Sequence, residues 1–207
     1  MSAPADLARE LWAANQDIAQ ACLVHPFVRG LAAGTLPIAR FRSYVAQDAY
    51  FLEAFARAYA VALAHSPDRH GLRAFHGLID GVLHELELHA TYAVRWHVDL
   101  SQVEPTSATL AYTDFLLATA GLGSLGEICA AMTPCMRLYA YLGQALGAEG
   151  AATRVNAYHE WVETYASPAF ERLAATLEDL LNRYAPDSTA VRQTYRRAMQ
   201  LELAFFG

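Results

Sequence analysis

The chain has 207 residues, 55% of them hydrophobic and 17% charged, and 15 Lys plus Arg against 21 Asp plus Glu leave a formal charge of −6. That balance excludes a disordered chain, and the absence of a dense Lys/Arg run argues against a nucleic-acid-binding face. Every apolar stretch is cut by a charged residue or His before the ~20 residues that a bilayer span needs. The opening, MSAPADLARELW, lacks the basic start and apolar core of a secretory leader. Cys22, Cys129 and Cys135 match neither a disulfide framework nor a zinc-ligand spacing, so reduced thiols in a cytoplasmic protein are expected.

Apolar positions recur at helical spacing over residues 6–23. Pro26 disfavours the α conformation at His25, which predicts a break there, and LAAGTLP reads as a loop leading to a second helix over about 37–65. Ser66-Pro67-Asp68 combines a capping hydroxyl, a first-turn proline and an acid, and predicts a helix that runs to about Trp96. Residues 107–120 form the next, ended by Gly121 and Gly123. Ser124 and Glu127 then make a capping box for a helix from Leu125 to about Ala145. Residues 151–165 and 167–185 predict two more, the second capped by Ser167-Pro168, and Asp187-Ser188 starts the last, which reaches Phe206. With no linker and no repeat, seven or eight helices predict one all-α, single-domain helical bundle over residues 1–207.

Three acids and thiols stand out against this apolar background. Pro134 falls inside a helical pattern, where its missing N–H costs roughly 3 kcal/mol, and Cys135 follows it directly. A thiol there is either a small buried hydrophobe or a nucleophile aimed at a cavity. Asp48 interrupts an aromatic stripe of Phe41, Tyr44, Phe51, Phe55 and Tyr59. It needs either a neighbouring Arg or Tyr as partner or a ligand to hold. Glu202 lies in LELAFF, where apolar neighbours raise a carboxyl pKa, the usual route to a general acid or base; Arg197 is a candidate partner.

Six of the eight histidines, at 65, 70, 76, 84, 89 and 97, lie on one long helical stretch but spread around it. His84 and His89 are five apart, unlike the four of a zinc-binding HExxH helix. Most therefore read as surface or interface residues, no metal is expected, and Glu85 with His89 leaves one carboxylate–His pair on a shared face.

In order, HPFVRGLAAGTLPIARFRSYVAQDAYFL, HELELHATY, SATLAYTDFLLATAG, MTPCMRLYAYLG, YHEWVETYASPAFE and LELAFF resemble the TenA family of thiaminase II proteins over about residues 6–206. The resemblance implies the haem-oxygenase-like all-α fold, a cytoplasmic homotetramer and no cofactor. By position it implies Cys135 as nucleophile, Glu202 as proton carrier and Asp48 as ligand of the pyrimidine's amino group and ring nitrogen. Tyr112 and Tyr165 correspond to tyrosines that line the pocket near the cysteine, and Tyr139 to a ring that stacks on the pyrimidine. Phe51 stands where some members have tyrosine, which keeps the stacking and loses a hydroxyl. Cys135 sorts the chain with the cysteine-bearing branch.

The implied activity is hydrolysis of aminopyrimidines in thiamin salvage, with thiamin cleavage secondary. Two other classes share the architecture: a pyrimidine-binding regulatory protein, and a haem or di-iron oxygenase needing ligands that face one cavity. On the hydrolase reading, the thiol of Cys135 is mostly protonated when free, and the hydroxyls of Tyr112 and Tyr165 hydrogen-bond to sulfur.

Overall fold

The computed structural model describes residues 6–153 and 155–207. Among them are ten α-helices and one 3-10 turn, Leu100–Gln102, with no strand. The helices are α1 Leu7–Ala14, α2 Gln16–Leu23, α3 Pro26–Ala33, α4 Ile38–Ala64, α5 Arg69–Trp96, α6 Ser107–Leu122, α7 Leu125–Ala148, α8 His159–Ala166, α9 Pro168–Tyr184 and α10 Thr189–Phe205.

Ten helices replace the expected seven or eight, for local reasons. The pattern over residues 6–23 is two helices, because Asn15 leaves helical geometry and spends its side chain on the chain around it. Its amide donates to the Leu11 carbonyl at 2.8 Å. Pro26 opens a helix where a break and loop were expected. His25 takes the extended conformation that a following proline demands, and its Nδ1 accepts from the Phe27 N–H. Gly34, at φ 67°, then closes α3 in the left-handed region. The expected helix over 151–165 begins only at His159. The described residues before it are irregular and held by Asn156, whose amide donates to the carbonyls of Leu31 and Ala151.

Other start signals act as expected. Ser124 and Glu127 form the reciprocal capping box, and Ser167 and Ser188 cap α9 and α10. For α5 the cap is Asp68, which accepts from the Gly71 N–H at 2.9 Å, while Ser66 instead bonds back to Ala62 at the end of α4.

α7 is the central element. Sixteen of its 24 residues are buried, and its open side narrows to a strip through Arg137, Tyr141, Gln144 and Ala148. It packs against α9, α10, α8, α6 and α4, while α4 and α5 lie against each other along their length. Gly143 permits the closest of these approaches: a Cβ there would collide with the backbone of Tyr165 and Ala166. The helix continues through Pro134, and the Ala130 carbonyl is left without its usual i+4 donor. Among the described residues no helix is long and apolar enough to cross a membrane.

Candidate active site

Five helices converge on a small cavity of about 10 Å³. α4 contributes Asp48 and Phe51, α5 Glu85, α7 Cys135 and Tyr139, α8 Tyr165 and α9 Phe170. Five of the seven residues singled out from the sequence thus face one space. The other two, Glu202 and Tyr112, stand behind Cys135 and bond to each other, Tyr112 Oη donating to Glu202 Oε1 at 2.5 Å.

Glu202 is 1% exposed. Burial pushes its carboxyl up to about 7, and hydrogen bonds from Tyr112 and the Cys135 thiol pull only partly the other way. Arg197, the partner expected from sequence, is exposed and plays no part. The Cys135 thiol is raised well above its ordinary range, first by burial and then by the carboxylates of Glu202, Asp48 and Glu85. Cys22 and Cys129 are buried elsewhere in the core, both pushed up to about 12 by burial.

Asp48 has a partner that sequence reasoning did not assign to it. His89 Nε2 lies 2.7 Å from Asp48 Oδ2, with each residue 4% exposed. Neither an Arg nor a Tyr fills that place. Burial works against a charge on His89, but the hydrogen bond and charge of Asp48 outweigh it and push the imidazole up to about 9. His65, His70, His76, His84 and His97 are exposed, so five of the six histidines on the long stretch are surface residues and one is not. Glu85 and His89 do share a face, yet His89 Nδ1 meets the backbone carbonyl of Glu85, at 2.9 Å, rather than its carboxylate.

The Glu85 carboxylate instead accepts from Tyr165 Oη at 2.7 Å, and burial together with nearby Asp48 pushes it up to about 7. Each of the two tyrosines expected at sulfur therefore donates to a carboxylate, Tyr112 to Glu202 and Tyr165 to Glu85. The physical reason is acceptor strength: a carboxylate outcompetes a protonated thiol for a hydroxyl proton. Glu85 stood out in the sequence only as a possible partner of His89, not as a wall residue. Its four-residue spacing from His89 was legible, but not the approach of Tyr165, 80 positions away, that brings it to the cavity.

Aromatic rings close the remaining walls. Tyr139 meets Tyr165 edge-on at 4.8 Å, Phe170 meets Tyr165 at 4.9 Å, and Phe51 lies 4.7 Å from Tyr112. Tyr44 donates to Tyr139 Oη and accepts from Trp161 Nε1, which fixes the Tyr139 ring in place. Asp48, Glu85 and His89 bring one ligand-type atom each within 4.8 Å of one another, the set among the described residues that could face a cation. Hydrogen bonds hold this set in place, His89 to Asp48 and Tyr165 to Glu85.

The helical bundle thus gathers a thiol, two elevated carboxyls and a His–Asp pair around one ring-lined cavity, the group types that acid–base and nucleophilic chemistry draws on. The chain belongs to the TENA/THI-4/PQQC family, whose sequence profile matches residues 12–206. It is 34% identical over 182 residues to the aminopyrimidine aminohydrolase of Halalkalibacterium halodurans, covering 86% of this chain and 81% of that one. It is 38% identical over 206 residues to the mitochondrial bifunctional TH2 protein of Arabidopsis thaliana, covering 87% of this chain but 33% of that longer protein. Among solved structures, a TenA family transcription regulator from Silicibacter sp. superposes with a TM-score of 0.89 at 29% identity, covering 100% and 97% of the two chains. A TenA homologue from P. horikoshii gives 0.87 at 27%, covering 96% and 95%.

Proposed function

We propose that this protein hydrolyses aminopyrimidines in thiamin salvage. The reaction converts 4-amino-5-aminomethyl-2-methylpyrimidine and water to the hydroxymethyl pyrimidine and ammonia, with thiamin cleavage as a secondary activity. The observation that carries the reading is the thiol of Cys135, set against a carboxyl poised near neutrality on one side and opening on a cavity with Asp48 on the other. The aminopyrimidine aminohydrolase relatives support the same overall reaction.

Each residue has a part that its surroundings support. Asp48 holds the amino edge of the pyrimidine, and Tyr139 and Phe51 stack on its faces. Glu202 takes the thiol proton as sulfur adds to the ring, and the displaced electron pair returns to expel ammonia from the attached methylene. Glu202 gives its proton to that leaving group. Water then adds at the methylene, losing a proton to Glu202, and sulfur departs with the ring restored, taking that proton back from Glu202. Tyr112 keeps the Glu202 carboxyl aimed at sulfur, and Tyr165 lines the pocket and orders Glu85. The chemistry asks for no cofactor, no nucleic acid and no membrane, and a cytoplasmic setting suits a buried free thiol.

The test is ammonia release from the aminopyrimidine. Cys135→Ser lowers kcat by roughly 10³-fold or more, and Glu202→Gln by about 10²- to 10⁴-fold. Wild-type turnover in the Ser variant overturns the mechanism, and a wild-type protein that binds the pyrimidine but releases no ammonia is a binder. The assembly that accompanies this reading is a homotetramer, supported by exposed apolar side chains such as Leu83, Val94 and Leu122. A monomer mass by light scattering at micromolar concentration overturns it.

A further inference from the structure

His89 faces a hydrogen-bond acceptor at each ring nitrogen. Nδ1 lies 2.9 Å from the Glu85 carbonyl oxygen, which can only accept, so that nitrogen carries hydrogen. Nε2 lies 2.7 Å from Asp48 Oδ2, and a contact this short between two such atoms also needs a hydrogen. The buried pair therefore holds one proton more than a neutral imidazole beside a carboxylate.

The groups that face this pair decide where the proton sits. They are Glu85 and Tyr92 from α5, Tyr44 from α4, Cys135 and Tyr139 from α7, Tyr165 from α8, and Glu202 from α10. None is Lys or Arg, and two are carboxyls, so a cation on the imidazole is the charge this environment favours. His89 is raised to about 9 accordingly, and its Nε2–H donates to Asp48 Oδ2. Each carboxylate oxygen has two acceptor sites, and His89 occupies one of the four.

The edge of a neutral 4-aminopyrimidine presents a donor, the amino N–H, next to an acceptor, the ring nitrogen. Two carboxylate oxygens match that edge only when the ring nitrogen is protonated and both positions donate. We propose that His89 is a positioning residue that keeps Asp48 an acceptor-only carboxylate, so that the cavity selects the pyrimidinium form of its substrate. This deepens the hydrolase reading and rests on it. The ring nitrogen takes its proton from solvent on binding. When the Cys135 sulfur adds to the ring, an electron pair moves onto that N–H and neutralises it, and the same pair returns to expel the leaving group. Selecting the cationic ring thus binds the form that a thiol attacks most readily.

The experiment uses the wild-type protein and the hydroxymethyl pyrimidine product at about pH 8, where the free product is neutral. Calorimetry in buffers of different ionisation enthalpy is expected to show about one proton taken up per site filled. The ultraviolet spectrum of the bound product is expected to be that of the protonated ring. In His89→Gln the bond to Asp48 comes from a neutral amide in place of the imidazolium, so uptake on binding falls to near zero and the bound ring is neutral. Asp48→Asn supplies one acceptor and one donor and gives the same two readings in a fold that retains His89. A wild-type protein that turns over the substrate yet takes up no proton and binds a neutral ring overturns this inference alone. Uptake that persists unchanged in His89→Gln also overturns it. Failure of the wild type either to bind the product or to release ammonia overturns the hydrolase reading, and this inference with it.

Discussion

A thiol buried among carboxyls holds its proton tightly. Cys135 is 8% exposed and is raised first by that burial and next by Glu202, so its thiolate is scarce at neutral pH until a substrate arrives. Alkylation of Cys135 is expected to be slow near pH 7 and faster near pH 9, and to be suppressed by a bound pyrimidine. Mass spectrometry of the labelled cysteine checks this. Fast labelling near pH 6 that ignores the pyrimidine means a preformed thiolate, and removes the need for Glu202 as proton acceptor. Glu202 suits that task because its carboxyl, lifted to about 7, is close to evenly divided between its two forms at neutral pH. Its usefulness, like that of the thiol, comes from what surrounds it. One carboxyl among Leu201, Leu203 and Phe206 could be seen in the sequence, but its partners, Tyr112 and Cys135, lie 90 and 67 positions away.

α7 carries Cys135, the proposed nucleophile, and its placement depends first on a small residue. Tyr165 reaches the cavity because α8 lies backbone to backbone against Gly143. Gly143→Ala is expected to push α8 outward, destabilise the fold by about 1–3 kcal/mol and lower turnover by misplacing Tyr165. Denaturant unfolding and the ammonia assay check it together, and an unchanged midpoint with unchanged activity shows that the two helices have room to spare. Arg137 adds a second constraint on the outer side of α7, bonded to Glu178 at 2.6 and 2.7 Å and to Glu171 at 2.9 Å. That cluster ties the helix bearing Cys135 to α9, which brings Phe170 to the cavity wall. Caps made within three residues, such as Ser124 with Glu127, were legible in the chain. The start of α8 was not, because its preceding segment is held by Asn156 to carbonyls on α3, more than 120 positions earlier.

The elevated buried groups give the whole molecule a pH signature. Glu202 and Glu85 are raised from 4.5 to about 7, so the stability they favour is complete below about 4.5 and is lost as pH rises through 7. His89 is raised from 6.5 to about 9, so its contribution is complete below about 6.5 and is lost as pH rises through 9. All three act in one direction, each by at most ~3 kcal/mol. Tm is therefore expected to fall as pH rises from about 5 to about 9, and Glu202→Gln is expected to flatten the lower half of that slope. Scanning calorimetry across that range checks it; a Tm that climbs toward pH 9 contradicts the buried placement of these groups.

Helical periodicity, short caps and the apolar balance determined the all-α class directly from the sequence, because each depends on residues within a turn or two of one another. The same locality made Cys135, Asp48 and Glu202 conspicuous, since a thiol behind a proline and acids in apolar runs are anomalies visible without a fold. Their partners were decided by tertiary structure alone. Which side chain satisfies Asp48 depends on how α4 crosses α5, and only that crossing singles out His89 from five exposed histidines on the same long stretch. The tyrosine hydroxyls followed the same rule, each going to the strongest acceptor that packing brought within reach, Glu202 for Tyr112 and Glu85 for Tyr165.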